Sequence, residues 1–182
     1  PDWLWQQWMQ DYGVEKALDI TAAHLAEAPA DFSVKCDAKV WAQKLEAELL
    51  PTGSLRRASA GFIPDLPGFE NGDWWVQSAA AALPALLLGD VKGKTVIDLC
   101  AAPGGKTAQL AAQGARVTAI DRSAERMKRF NENMKRLQLD VEAVIADGSV
   151  WQPRAAVDAV LLDAPCTATG TIRHQPDLLY LK

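Results

Sequence analysis

The chain has 182 residues, a formal net charge of −4, and 49% apolar and 23% charged residues. That balance excludes a disordered polymer and leaves room for one good core or two small ones. Its longest apolar run, residues 79–88, is about half of the roughly 18 residues a membrane helix needs and holds Pro84, which argues against a membrane protein. Cysteines at positions 36, 100 and 166 fit neither a disulfide framework nor a paired zinc site. No metal and a reducing cytoplasm are therefore expected, and no basic-then-apolar leader opens the sequence. The first residue is Pro, and the closing Leu-Leu-Tyr-Leu-Lys has neither turn signal nor polar tail, so both ends read as cut.

Residues 2–28 read as a helix, with Trp5, Trp8, Met9 and Tyr12 at spacings of three and four, and Ala17, Ile20, Ala23 and His24 continuing the pattern. At that spacing the tryptophans and His24 are packing residues rather than an RNA-stacking platform. Residues 32–36 alternate like a strand, and 38–50 read as a helix with Val40, Trp41, Leu45 and Leu49 on one side. Pro51-Thr52-Gly53 is a turn, 54–60 a second strand, and 61–72 a Gly/Pro-rich stretch. Residues 77–88 resume a helix.

From Thr95 the rhythm becomes strand and helix in alternation. Strands are expected at 95–99, 115–120, 141–146 and 157–162, and helices at 106–112 and from Ser123 onward. Met127, Phe130, Met134 and Leu137 form the buried stripe of that second helix. Apolar strands alternating with helices imply an α/β fold with a parallel, doubly wound sheet. The expected organisation is residues 1–76 as a helical and small α/β module of RNA-binding type, followed by 77–182 as a ligand-binding core.

Ligands of such sheets bind beyond the carboxyl ends of the strands. Four strand ends supply Cys100, Asp121, Asp147 and Asp163, and the first is followed by Ala101, Ala102, Pro103, Gly104, Gly105 and Lys106. Three readings of this turn compete. A phosphate loop finds its end in Gly105-Lys106-Thr107, but Cys100 stands where its opening glycine belongs. A dinucleotide turn wants Gly-x-Gly-x-x-Gly, which Cys-Ala-Ala-Pro-Gly-Gly departs from. A glycine turn with acids on successive strand ends fits the ribose, adenine amino group and cationic methionine moiety of S-adenosylmethionine. Asp121, 17 residues after Gly104, stands about where an acid accepts from ribose hydroxyls.

The run Asp-Leu-Cys-Ala-Ala-Pro-Gly-Gly-Lys-Thr at 98–107 and Asp-Ala-Pro-Cys at 163–166 resemble the Fmu/Sun family of S-adenosylmethionine-dependent RNA cytosine-5 methyltransferases. Gly72-Asp73-Trp74-Trp75-Val76-Gln77 resembles that family's lead-in, and Pro1-Asp2-Trp3-Leu4 with Tyr12-Gly13 resembles its preceding domain. The resemblance implies a class I methyltransferase fold, here without its carboxyl-terminal part. It implies cofactor contacts from Cys100 through Lys106, from Asp121 and Arg126, from Asp147 and Gly148, and from Asp163 near the methionine end. RNA, most plausibly ribosomal, is the implied partner. The net negative charge argues weakly against nucleic acid, yet residues 122–136 carry six Arg/Lys (Arg122, Arg126, Lys128, Arg129, Lys135, Arg136) against Glu125 and Glu132. A phosphate-binding face and a solvated helix face account for this cluster equally well. Arg56, Arg57, Arg173 and Lys182 lie near other informative segments.

Carbon 5 of cytosine becomes nucleophilic only after a thiolate adds to carbon 6, so the chemistry needs an activated cysteine. Cys166 and Asp163 are the catalytic candidates. In the family the Pro-Cys thiol is thought to assist product release while a second cysteine, in a Thr-Cys motif, attacks carbon 6. Cys36 and Cys100 do not match that motif, so the usual nucleophile is expected outside these residues and the chain is expected to bind cofactor without turnover. The alternatives are a non-catalytic RNA-binding or assembly fragment that keeps the cofactor pocket, and a methyltransferase that attacks through Cys166 itself.

Overall fold

The computed structural model describes residues 1–180, so Lys182 lies outside the described residues. The chain forms two compact units, one of Pro1–Ala28 with Pro165–Lys182 and one of Pro29–Ala164.

In the first unit α1 (Asp2–Leu25) is two helical stretches joined across Gly13, whose φ of 78° and ψ of 165° leave the helical region. The helix stops at Leu25, three residues earlier than the spacing suggested, where Ala26 takes an extended conformation. Leu4 and Ala17 are its buried residues. The ring of His24 lies 5.2 Å from that of Trp8. Burial, and then the charge of Arg173, lower the His24 pKa, as suits a packed neutral side chain. Arg173 donates to the carbonyls of Ala26 at 3.1 Å and Glu27 at 2.6 Å, tying the segment after Pro165 to the end of α1.

The second unit holds two sheets. In the antiparallel one, β1 (Ala30–Val34), β2 (Glu48–Leu49), β3 (Leu55–Arg57) and β4 (Trp74–Val76) lie in the order β2-β3-β1-β4. The helix expected over 38–50 is shorter: α2 (Ala38–Lys44) ends where Glu46 takes a φ of 50°. Residues 48 and 49 then pair with β3 across the Pro-Thr-Gly turn, closed by Leu50 N–H donating to Ser54 at 2.8 Å. Pairing there satisfies backbone groups that a longer helix would leave beside the turn. Strand β4 was hidden in the lead-in sequence; Trp74, Trp75 and Val76 suit a pleated surface and pair with β1. Phe32, Trp41, Leu45, Leu55 and Trp74 form the core, with the Trp74 indole N–H donating to the Pro67 carbonyl at 2.8 Å. Asp31 accepts two bonds from Arg56, at 2.7 and 2.8 Å, and one from the Ala79 amide at 2.9 Å. It thereby joins β3 to the start of α3 (Ala79–Leu86), whose cap is Ser78.

The parallel sheet contains β5 (Thr95–Leu99), β6 (Arg116–Asp121), β7 (Glu142–Ile145) and β8 (Ala159–Leu162), in the order β7-β6-β5-β8. Helix α4 (Gly105–Ala112) joins β5 to β6, and α5 (Ala124–Arg136) joins β6 to β7. All four residues of the expected stripe, Met127, Phe130, Met134 and Leu137, are buried. Alternation lapses between β7 and β8, where a turn after Asp147, with Val150 and Trp151 amides donating to its carbonyl, replaces a helix. The chain thus builds outward from β5 to β7 and then returns to β5's other side, placing the topological switch between β5 and β8.

Candidate functional site

The strand order sets four side chains along one carboxyl edge in the sequence Asp147, Asp121, Cys100, Asp163. At the switch between the last two lies a cavity of about 200 Å³ lined by Val76, Gln77, Ala81, Asp98, Cys100–Pro103, Gly105, Lys106 and Asp163. Most residues of the glycine turn, together with Asp163, therefore meet in one place.

The turn packs closely against α5. Cys100 sits at a φ of 63° and the Ala102-Pro103 peptide is cis. Gly104, with a φ of 107°, approaches α5 so closely that a Cβ would lie 2.8 Å from Met134 Cε and 2.9 Å from Phe130 Cδ2. Asp121 is buried and accepts from the Ala102 amide at 3.2 Å, the Ser123 amide at 2.9 Å and Arg126 Nη1 at 3.1 Å. Arg126 also donates to the Ala102 carbonyl. Lys106 Nζ meets Asp163 Oδ2 at 2.6 Å across the cavity, joining the ends of β5 and β8.

Asp147 and Gly148 stand apart from the cavity wall. The Asp147 carboxylate is exposed and accepts from the Ser149 hydroxyl at 2.7 Å and amide at 2.9 Å, which lowers its pKa. Cys166 belongs to the first unit, where its exposed Sγ accepts from the Ala168 amide at 3.3 Å. The Cys100 thiol is pushed up by burial and by the charge of Asp121, the reverse of what a nucleophile needs.

Two polar cavity residues, besides the apolar Val76 and Ala81, escaped the sequence reading. Asp98, 1% exposed, accepts from the Thr107 hydroxyl at 2.5 Å, and burial raises its pKa to about 6. Thr107 and Lys106 oppose that rise, while Asp163 and Asp121 add to it. Its signal was an acid inside an otherwise apolar parallel strand. Gln77 is the other: its Oε1 accepts from Ser33 Oγ at 2.7 Å and Trp75 Nε1 at 2.9 Å, and its Nε2 donates to Ala81 and Gln109 oxygens at 3.3 Å. Nothing in its sequence neighbourhood announces a residue that ties the antiparallel sheet to α3 and α4. Among the described residues no group of His, Cys, Asp or Glu is arranged to hold a metal ion, and no helix is long and apolar enough to cross a membrane.

A parallel sheet in this order, with a glycine turn after its first strand and acids on the neighbouring strand ends, is the Rossmann-like core of a class I methyltransferase. Residues 85–182 match the 16S rRNA methyltransferase RsmB/F family, and the chain belongs to that family. Ribosomal RNA small subunit methyltransferase B of Cronobacter sakazakii is 47% identical over 125 residues, 66% of this chain and 29% of that protein. The protein of the same name from Xylella fastidiosa is 37% identical over 194 residues, covering 98% of this chain and 46% of its own length. The crystal structure of PH0851 matches with a TM-score of 0.86 at 28% identity, over 98% of this chain and 44% of that one. The chain thus spans less than half the length of these relatives.

Proposed function

We propose that this chain carries the cofactor-binding core of an S-adenosylmethionine-dependent methyltransferase acting on carbon 5 of cytosine in ribosomal RNA. The observation that carries the proposal is the cavity at the β5–β8 switch, bordered by Asp98 of β5, Asp163 after β8 and Lys106 at the start of α4, with Asp121 and Asp147 at the neighbouring strand ends. The donor set fits the cofactor: acids suit a ligand with a sulfonium and an ammonium group, and the first amides of α4 suit its carboxylate. Asp121 holds the ribose, Asp147 and Gly148 face the adenine side, and the Cys100–Lys106 turn and Asp163 hold the methionine end. When bound, the cofactor supplies an electrophilic methyl group.

Arg126 pairs with Asp121 and Lys106 with Asp163, so the turn is already braced and little reorganisation accompanies binding. Cys166 is assigned the product-release role, in line with the resemblance of Asp163-Ala164-Pro165-Cys166 to the family motif. Attack at carbon 6 is assigned to a further cysteine, in line with the same resemblance, since burial and the Asp121 charge push the Cys100 thiol up. The amino-terminal residues 1–76 and the basic face of α5 are proposed to meet RNA phosphates, in a cytoplasmic setting. Lys128, Arg129 and Lys135 are exposed on α5, as that role needs.

Calorimetry with S-adenosylhomocysteine tests the cofactor assignment. Binding is expected, weakened about tenfold or more in Asp121→Ala because the Ala102 and Ser123 amides and Arg126 lose their acceptor. Equal affinity for ATP and no response to S-adenosylhomocysteine would refute it. Methyl transfer from labelled cofactor to unmodified ribosomal RNA tests the chemistry: robust transfer by these 182 residues, abolished by Cys166→Ala, would make Cys166 the nucleophile instead.

A further inference from the structure

The cofactor cavity has two walls far apart in sequence. One is the turn from Cys100 to Lys106, and the other is Val76 with Gln77 at the end of β4. Between them runs a second void of about 190 Å³, bounded by Phe69, Trp75, Pro103, Asn133 and Arg136 among others. Beside that void Trp75 packs with Ala101 and Ala102 in one buried cluster, and polar ties add to this apolar contact. Hydrogen bonds there add what apolar packing alone lacks, a fixed direction as well as a distance.

Those ties come from the last turns of α5. Asn133 Nδ2 donates to the Pro103 carbonyl at 3.0 Å, gripping the turn. Arg136 Nη1 donates to the carbonyls of Phe69 at 2.8 Å and Trp74 at 3.2 Å, gripping the approach to β4. Its guanidinium also lies 4.1 Å from the centre of the Phe69 ring. The two side chains are three residues apart, so they share one helix face. Backbone contact reinforces both grips. A Cβ on Gly72 would lie 2.0 Å from the Arg136 carbonyl oxygen, and one on Gly104 would strike Met134 and Phe130. Arg136 is partly buried, which pulls its pKa below the usual arginine value, with Glu70 opposing. The helix keeps a charge at that desolvation cost, in a place where Met would fill the same space.

We infer that Asn133 and Arg136 are positioning residues that set the opening of the cofactor cavity by fixing both of its walls to α5. Neither lines the cavity. The inference rests on that cavity being the cofactor site proposed above. Gln77, tied to Gln109 of α4, secures the opposite side of the same wall.

The test is calorimetric affinity for S-adenosylhomocysteine in Arg136→Met, Arg136→Lys, Asn133→Leu and the double variant Asn133→Leu/Arg136→Met, measured well below each melting midpoint. Arg136→Met should bind about tenfold more weakly and Asn133→Leu about fivefold, with part of the loss restored by Arg136→Lys, which keeps a donor but not the flat stack. The double variant should lose less than the product of the two, because either released wall already frees the opening. Leu45→Val, a core truncation in the antiparallel sheet, should lower the melting temperature and leave affinity unchanged. Affinities within twofold of wild type in both single variants would overturn the inference while leaving the cofactor assignment intact. Absence of binding by the wild-type chain would remove both. If Arg136→Met does not melt cooperatively, Asn133→Leu, at a half-exposed position, decides the matter.

Discussion

Asp98 offers a sharp test of the site's electrostatics. The side chain sits in the central strand β5, 1% exposed, and burial raises its pKa from an ordinary 3.8 to about 6. The folded state therefore holds a proton more tightly than the unfolded chain. Stability from this group is fully present below about pH 4 and is lost as pH rises through about 6. Two pH units at about 1.4 kcal/mol each give about 3 kcal/mol as the most this one carboxyl can remove. Asp98→Asn imitates the protonated form and can still accept the Thr107 hydroxyl, now bonded at 2.5 Å. It should match wild type near pH 4 and exceed it by about 2–3 kcal/mol at pH 7.5. Urea unfolding of both proteins between pH 4 and 7.5 measures the difference, and pairing them cancels the other carboxylates. A difference that stays constant with pH, or a variant less stable at pH 7.5, would refute the reasoning. A cationic ligand in the cavity should pull the same pKa down. Cofactor binding near pH 6 should then release a proton, readable as a dependence of the calorimetric heat on buffer ionisation.

Gly104→Ala should destabilise the chain by about 1–3 kcal/mol and abolish S-adenosylhomocysteine binding, since the new Cβ meets Met134 and Phe130 at a left-handed φ; thermal melts and calorimetry check both. Asp31→Ala should cost about 2 kcal/mol in urea unfolding by leaving Arg56 and the Ala79 amide without their acceptor, whereas Arg56→Ala, at a partly exposed site, should cost less. Reversing Arg129 and Lys135 to Glu should weaken RNA binding alike for all sequences and flatten its salt dependence; unchanged, salt-independent binding would favour a merely solvated helix face.

The sequence by itself determined the features that depend on local order. Strand-helix alternation from Thr95, the buried stripe Met127-Phe130-Met134-Leu137 and the strand-terminal acids all follow from periodicities of two and 3.6, which neighbouring residues impose on one another. The turn at 100–106 was legible because a glycine pair after an apolar strand has few other uses. Tertiary structure alone decided what depends on residues distant in the chain. Helix α2 ends at Lys44 because Glu48–Leu49 find partners on β3, and β4 exists because β1 offers it an edge. Asp98 joined the site because the cavity opens beside it where β5 meets β8, a pairing that a run of five letters does not show. Gln77, Asn133 and Arg136 matter through carbonyls and amides tens of residues away, and no local pattern encodes a hydrogen bond whose partner is brought near only by the fold.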